Sequence, residues 1–105
     1  MTRCKLVVYV STTHAGVVRE VIGEAGGGKL GNYSFCSFSI KGTGRFKPEQ
    51  GANPTIGAVG KPEAVEEERI EVTCNADLLD TIIAAMKKAH PYEEVAYDVY
   101  SLENK

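Results

Sequence analysis

An α+β fold with the element order β-α-β-β-α-β is predicted by three features of the sequence. Runs rich in β-branched and aromatic residues, each of strand length, recur at the start, in the middle and at the end of the chain. Two segments, 14–25 and 76–89, carry their apolar residues at helical spacing. Glycine, asparagine and proline punctuate those segments where an element must stop or start.

Residues 4–11, CKLVVYVS, form the first expected strand. Its two phases are both apolar, with Leu6, Val8 and Val10 on one and Val7 and Tyr9 on the other, so it requires cover on both sides. Thr12 or Thr13 can cap a helix whose first turn holds His14, Ala15 and Gly16. Val17, Val18, Val21, Ile22 and Ala25 make its buried stripe, and Gly26-Gly27-Gly28 ends it. The second strand is expected at 32–40, with Tyr33 and Phe35 on one phase and Cys36, Phe38 and Ile40 on the other. A long glycine- and proline-bearing loop, about 41–64, follows, and loops of that length usually carry function. Alternation resumes in the third strand, where Ile70, Val72 and Cys74 point inward. Asn75 then caps a second helix, whose stripe is Leu78, Leu79, Ile82, Ile83, Met86 and Ala89. Lys87 and Lys88 suit the negative end of its dipole, Pro91 stops it, and a last strand covers about 95–102.

This order is the split βαβ arrangement of ferredoxin-like folds, a four-stranded antiparallel sheet with two helices on one face. Within it, strands one and three are expected to pair in parallel, which would set Cys4 and Cys74 at opposite ends of the sheet. His14 and His90 would then lie at opposite edges. The face without helices would hold Val7, Tyr9, Tyr33 and Phe35, or their alternate-phase neighbours. An apolar face of that width marks an interface, so a homo-oligomer is expected.

A chain of 105 residues fits one domain, 1–105. Twelve basic residues against fourteen acidic ones leave a net charge of −2, with no general pull toward nucleic acid or anionic membrane surfaces. No apolar run nears the ~20 residues that span a bilayer. The N-terminus lacks a signal-peptide pattern, so a cytoplasmic location is the expectation. Cys4, Cys36 and Cys74 are odd in number and contain no CxxC pair, which disfavours a disulfide framework and a zinc knuckle; all three read as small core residues.

Chemistry concentrates in two places. The turn His90-Pro91-Tyr92-Glu93-Glu94 packs an imidazole, a phenol and two carboxylates into five residues. It can bind a divalent metal through His90, Glu93 and Glu94, or serve only as a helix stop. The long loop places Lys41, Arg45 and Lys47 among glycines, a pattern able to close on an anion. Gly26-Gly27-Gly28-Lys29-Leu30-Gly31 matches GxGxxG in letters only, since it follows a helix and precedes a strand.

Three longer stretches carry a resemblance: Gly31-Asn32-Tyr33-Ser34-Phe35-Cys36-Ser37-Phe38 running on to Gly42-Thr43-Gly44-Arg45-Phe46-Lys47-Pro48; Gly51-Ala52-Asn53-Pro54-Thr55-Ile56-Gly57; and His90-Pro91-Tyr92-Glu93-Glu94-Val95-Ala96-Tyr97-Asp98. Together they resemble the inserted domain of the Nif-three-like (NGG-one-interacting-factor-three) proteins, over roughly residues 4–102. That insert is similar in fold to PII signalling and CutA proteins, which are ferredoxin-like trimers. The resemblance thus implies the same fold and a homo-oligomer, a trimer being favoured. In larger members a two-metal site is built by domains flanking the insert, and this chain is expected to lack it, to hold no cofactor and to have no enzyme activity. The expected role is an oligomeric ligand- or protein-binding regulatory module. Its partner would be a protein or a small-molecule anion, met by Lys41, Arg45, Lys47, His90, Tyr92, Glu93 and Glu94. The alternative is an ion-tolerance protein that binds a divalent metal at His90, Glu93 and Glu94.

Overall fold

The computed structural model describes residues 2–105. Strand β1 (Arg3–Ser11) leads through a 3-10 turn at Thr12–His14 into helix α1 (Ala15–Glu24). Strands β2 (Phe38–Phe46) and β3 (Glu63–Asn75) follow, then a 3-10 turn at Ala76–Leu78, helix α2 (Leu79–Ala89) and strand β4 (Tyr97–Leu102). The sheet order is β2-β3-β1-β4, and every neighbouring pair is antiparallel. This is the ferredoxin-like α+β arrangement.

Alternation along the strands divides the sheet into two faces. Cys4, Leu6, Val8 and Val10 of β1 pair with Cys74, Val72, Ile70 and Glu68 of β3 on the helix side. Ala15, Val18 and Ile22 of α1 and Ile82 and Met86 of α2 close that core. On the other side the rows are Lys5–Thr73, Val7–Glu71, Tyr9–Arg69 and Ser11–Glu67, flanked by Phe38 and Ile40 of β2 and Tyr100 of β4.

The pairing of β1 with β3 is a correction. The two strands run antiparallel because a right-handed β-α-β crossover makes β1 parallel to β2, and β3 returns beside β2. Cys4 therefore faces Cys74 directly, their sulfurs 3.7 Å apart. For the same reason α2 ends where α1 begins, so His14 and His90 sit at the same end of the sheet as the C-terminus of β1. The crossover that was expected to separate them brings them together.

Strand β2 is displaced by six residues from its expected place. Phe35 has φ 59°, a left-handed value costly for an aromatic residue, and it breaks the run. Its ring packs where Gly23 has no side chain: a Cβ there would sit 2.0 Å from the ring. Tyr33 pairs only with Leu30, in an isolated bridge. Neither Tyr33 nor Phe35 lies on the open sheet face, and Cys36 is half-buried rather than core. Strand β2 takes up residues expected in the loop, so the loop is shorter, 47–62.

Both expected caps are also replaced. Ser11 and Asn75 precede 3-10 turns without a side-chain capping bond. The Asn75 side-chain oxygen, Oδ1, instead accepts from Arg3 at 2.8 Å, tying the start of β1 to the end of β3. Val17 and Leu78 are exposed and Val21 is half-buried, while Val18, Ile22 and Ala25 of the first stripe and the rest of the second pack inward. The triple glycine does end α1: Gly26 and Gly28 have φ of 103° and 80°, and the Gly27 N–H donates to the Ile22 carbonyl at 2.9 Å.

The open face is not a bare apolar surface. Glu71 accepts from Arg69 at 3.0 Å and from Lys5 at 3.4 Å, and Arg69 also donates to the Tyr9 hydroxyl at 3.1 Å. The Arg69 hydrogen bond holds the Glu71 carboxyl below its ordinary range. Val7 lies beneath this network, fully buried. Apolar exposure is confined to the margins, at Phe38 (62%), Ile40 (49%) and Tyr100 (45%).

Candidate functional site

Beyond Ser11 the sheet loses β1, and the β2–β3 hairpin continues alone through Gly44↔Val65 and Phe46↔Glu63. This projecting arm, loop 47–62 and the turn 91–96 enclose a groove of about 740 Å³. Its floor on the open face is Ile40, Gly42, Gly44 and Phe46. Tyr9, Arg69 and Tyr92 stand along it, and Pro48, Pro54 and Ile56 form the far wall.

Two glycines shape the floor in different ways. A Cβ on Gly42 would meet nothing within 4 Å, so the groove stays open above it. A Cβ on Gly44 would fall 1.8 Å from a Glu67 carboxylate oxygen, so that carboxylate lies across the bare backbone. Glycine inside a strand marks a place where another group comes close to the main chain. Here Glu67 takes that space, and the Tyr92 hydroxyl donates to it at 3.0 Å. Burial, reinforced by Glu67, pushes the Tyr92 phenol up to about 12, so it stays a donor at neutral pH.

His90 builds the turn from behind. It is 7% exposed, and both ring nitrogens are engaged. Nδ1 accepts the Tyr92 backbone N–H at 3.2 Å, so the ring proton is on Nε2, which donates to the Tyr9 carbonyl at 2.8 Å. Burial lowers the imidazole's proton affinity. The turn in turn holds the loop: the Glu93 carboxylate accepts from the Asn53 N–H at 2.8 Å, and the Thr55 hydroxyl donates to the Pro91 carbonyl at 2.8 Å.

Of the seven residues expected to recognise a ligand, Lys41, Arg45, Lys47, Tyr92, Glu93 and Glu94 all line this groove, and His90 supports it from outside. Their roles differ from the expectation. Alternation directs Lys41 and Arg45 toward the helix side of β2, so they line the groove chiefly along their main chain. Lys47 stands at the mouth, 3.9 Å from Glu49. The side chains of the metal set His90, Glu93 and Glu94 are not brought together. Among the described residues no three His, Cys, Asp or Glu side chains are grouped to hold a metal ion. His90 has no free nitrogen to offer, and Glu93 is turned onto the loop backbone. Tyr9, Arg69 and Glu67 were missed by the sequence reading, and Gly42 and Gly44 were read as flexible loop rather than as part of a strand. The period-2 pairing of Tyr9 with Arg69 across β1 and β3 was the only available signal, and it required the correct strand direction.

The fold is a CutA-like, ferredoxin-like α+β arrangement. The periplasmic divalent cation tolerance protein CutA from Archaeoglobus fulgidus superposes with a TM-score of 0.70 at 17% identity, over 98% of this chain and 86% of that one. CutA from Synechococcus elongatus gives 0.69 at 19% identity, over 96% and 77%. No family model matches the chain. Much greater similarity joins it to longer proteins. The crystal structure of a Bacillus cereus protein related to NIF3 matches with a TM-score of 0.86 and 51% identity, over 98% of this chain and 26% of that one. GTP cyclohydrolase 1 type 2 homologs from Halalkalibacterium halodurans and Bacillus subtilis are 55% and 50% identical over 100 and 99 residues. Those matches cover 95% and 94% of this chain but 27% and 26% of the relatives. The chain thus corresponds to one CutA-like segment of the NIF3-related proteins and spans about a quarter of their length. Among the described residues, no helix is long and apolar enough to cross a membrane.

Proposed function

We propose that this chain is an oligomeric binding module whose recognition site is the groove between the β2–β3 arm and the turn 91–96. One observation carries the reading: two segments far apart in sequence, the β2–β3 arm and the turn 91–96, close a single groove over a floor that carries two glycines. Its floor is open above Gly42, and its rim carries Lys47, 3.9 Å from Glu49 and half-exposed. A small anion with a planar apolar body fits that combination, the body lying on the glycine floor and the charge meeting Lys47. Tyr92 fixes the Glu67 carboxylate over Gly44, which leaves the open part of the floor at Gly42 for such a ligand. Self-association belongs to the other end of the open face. There Leu30 and Phe38 flank a smaller cleft with Lys5 and Glu71, and Tyr100 of β4 lies opposite Lys5. The CutA-like fold and these exposed side chains support an oligomer, with a trimer as the subunit number to test.

The test uses 8-anilinonaphthalene-1-sulfonate, an aromatic sulfonate, as probe. The wild-type protein is expected to enhance its emission saturably at a fixed number of sites per chain. Gly42→Phe fills the open floor and is expected to abolish the enhancement, while Lys47→Ala weakens affinity several-fold. Equal enhancement by wild type and Gly42→Phe would overturn the assignment, as would no enhancement by wild type.

A further inference from the structure

The helix side of the sheet holds a pair of adjacent thiols outside the groove. Cys4 and Cys74 are directly opposed on the two central strands, 3% and 1% exposed, with sulfurs 3.7 Å apart. The Ala76 N–H donates to the Thr2 carbonyl at 2.9 Å and extends the same register. Bonding alternates along an antiparallel ladder, so Cys4 and Cys74, two positions further in, form a hydrogen-bonded pair as well. Such pairs have Cα atoms about 5.5 Å apart. That spacing lies inside the roughly 4.4–6.8 Å window that a disulfide spans. The Arg3–Asn75 hydrogen bond holds the neighbouring row in register.

We infer that Cys4 and Cys74 are a latent modification site, which a small-molecule oxidant of thiols converts into an intrachain cross-strand disulfide. The two S–H bonds break and one S–S bond forms. With diamide as oxidant, the two electrons and two protons pass to its N=N bond, which becomes a hydrazine. The sulfurs must close by roughly 1.7 Å to reach bonding distance, which takes side-chain rotation together with a small approach of the two strands, since a hydrogen-bonded pair holds its Cβ atoms about 5.5 Å apart. The bridge would close a loop of roughly 70 residues and fasten β1 to β3 at the entry to the chain. Cys36, half-buried in the segment before β2, stays outside the pair. Burial pushes the Cys74 thiol up to about 11, which makes the reaction slow at neutral pH and faster as pH rises. The site lies five residues along β1 from Tyr9, about 17 Å, so oxidation leaves the groove unchanged.

The experiment treats the reduced, folded full chain with diamide at pH 8, then unfolds it and alkylates it with iodoacetamide. Wild type is expected to take up one carbamidomethyl group, on Cys36, and to yield a linked Cys4–Cys74 peptide pair. Cys36→Ala is expected to take up none, and its melting temperature to rise by roughly 5–15 °C on oxidation. Cys74→Ser is expected to remain fully alkylatable at Cys4 and Cys36. Three carbamidomethyl groups on treated wild type would overturn the inference. So would linkage through Cys36, or a bridge that forms only when urea is present during the oxidation.

Discussion

Replacing Gly44 by alanine pushes a methyl group into the space that the Glu67 carboxylate occupies, whereas the same change at Gly42 meets open space. Neither glycine has a positive φ, so alanine suits both backbones. Each substitution reduces the freedom of the unfolded chain, which alone stabilises by about 0.4–1 kcal/mol. At Gly44 the carboxylate must move off the floor and gives up its hydrogen bond from the Tyr92 hydroxyl. A bond to a charged group contributes about 1.5–3 kcal/mol, and partial exposure of the pair reduces that to about 1–2. Gly44→Ala is therefore expected to lose about 0.5–1.5 kcal/mol net, while Gly42→Ala is neutral or slightly stabilised. Urea unfolding resolves the difference, since 1 kcal/mol moves the midpoint of a domain this size by roughly 1 M. A double-mutant cycle sharpens the test. In a Tyr92→Phe background the bond is already absent, so Gly44→Ala should cost little or nothing. Equal effects of Gly42→Ala and Gly44→Ala, or full additivity with Tyr92→Phe, would refute the account of the floor.

Further expectations follow from other contacts. Arg19→Met leaves the Glu68 carboxylate, which is 7% exposed, without its guanidinium partner on α1, and should destabilise by about 1–3 kcal/mol in urea unfolding. Gly28→Ala combines a φ of 80° with a Cβ 2.3 Å from the Cys36 carbonyl oxygen, and should cost about 2–3 kcal/mol by the same assay. His90 has a lowered native pKa, so the unfolded chain binds its proton first as pH falls from about 6.5. Its contribution is complete above that pH and is lost toward the lower native value. Wild type should therefore weaken between pH 7.5 and 5.5 more steeply than His90→Gln, in paired urea titrations. Glu71 follows at lower pH: its support is present above 4.5 and lost as acid titrates it through its depressed native value.

Element types were legible because period and punctuation are local properties. The stripes Val18–Ile22 and Ile82–Met86 and the alternation through Ile70–Cys74 needed no tertiary information, and all became core. Strand β2 was misplaced because Tyr33 and Phe35 have strand-like character, while the left-handed turn at Phe35 depends on the absence of a side chain at Gly23, on another element. The order of elements is local, but strand direction is not. One wrong sense for β1 against β3 hid both the Cys4–Cys74 pair and the shared position of the two histidines. The groove's rim was legible as unusual composition. Its floor was not, since Gly42, Gly44, Tyr9 and Arg69 acquire meaning only through register. His90 shows the opposite failure: its chemistry suggested a ligand, and its burial spends both nitrogens on the backbone.

The measurement that bears most directly on an assembling module is the solution mass of the purified chain by light scattering at micromolar concentration. The account predicts an integral multiple of 11.3 kDa for wild type, collapsing to one chain when Phe38 and Tyr100 are both replaced by glutamate with the fold retained by circular dichroism. A wild-type mass of 11.3 kDa would contradict it.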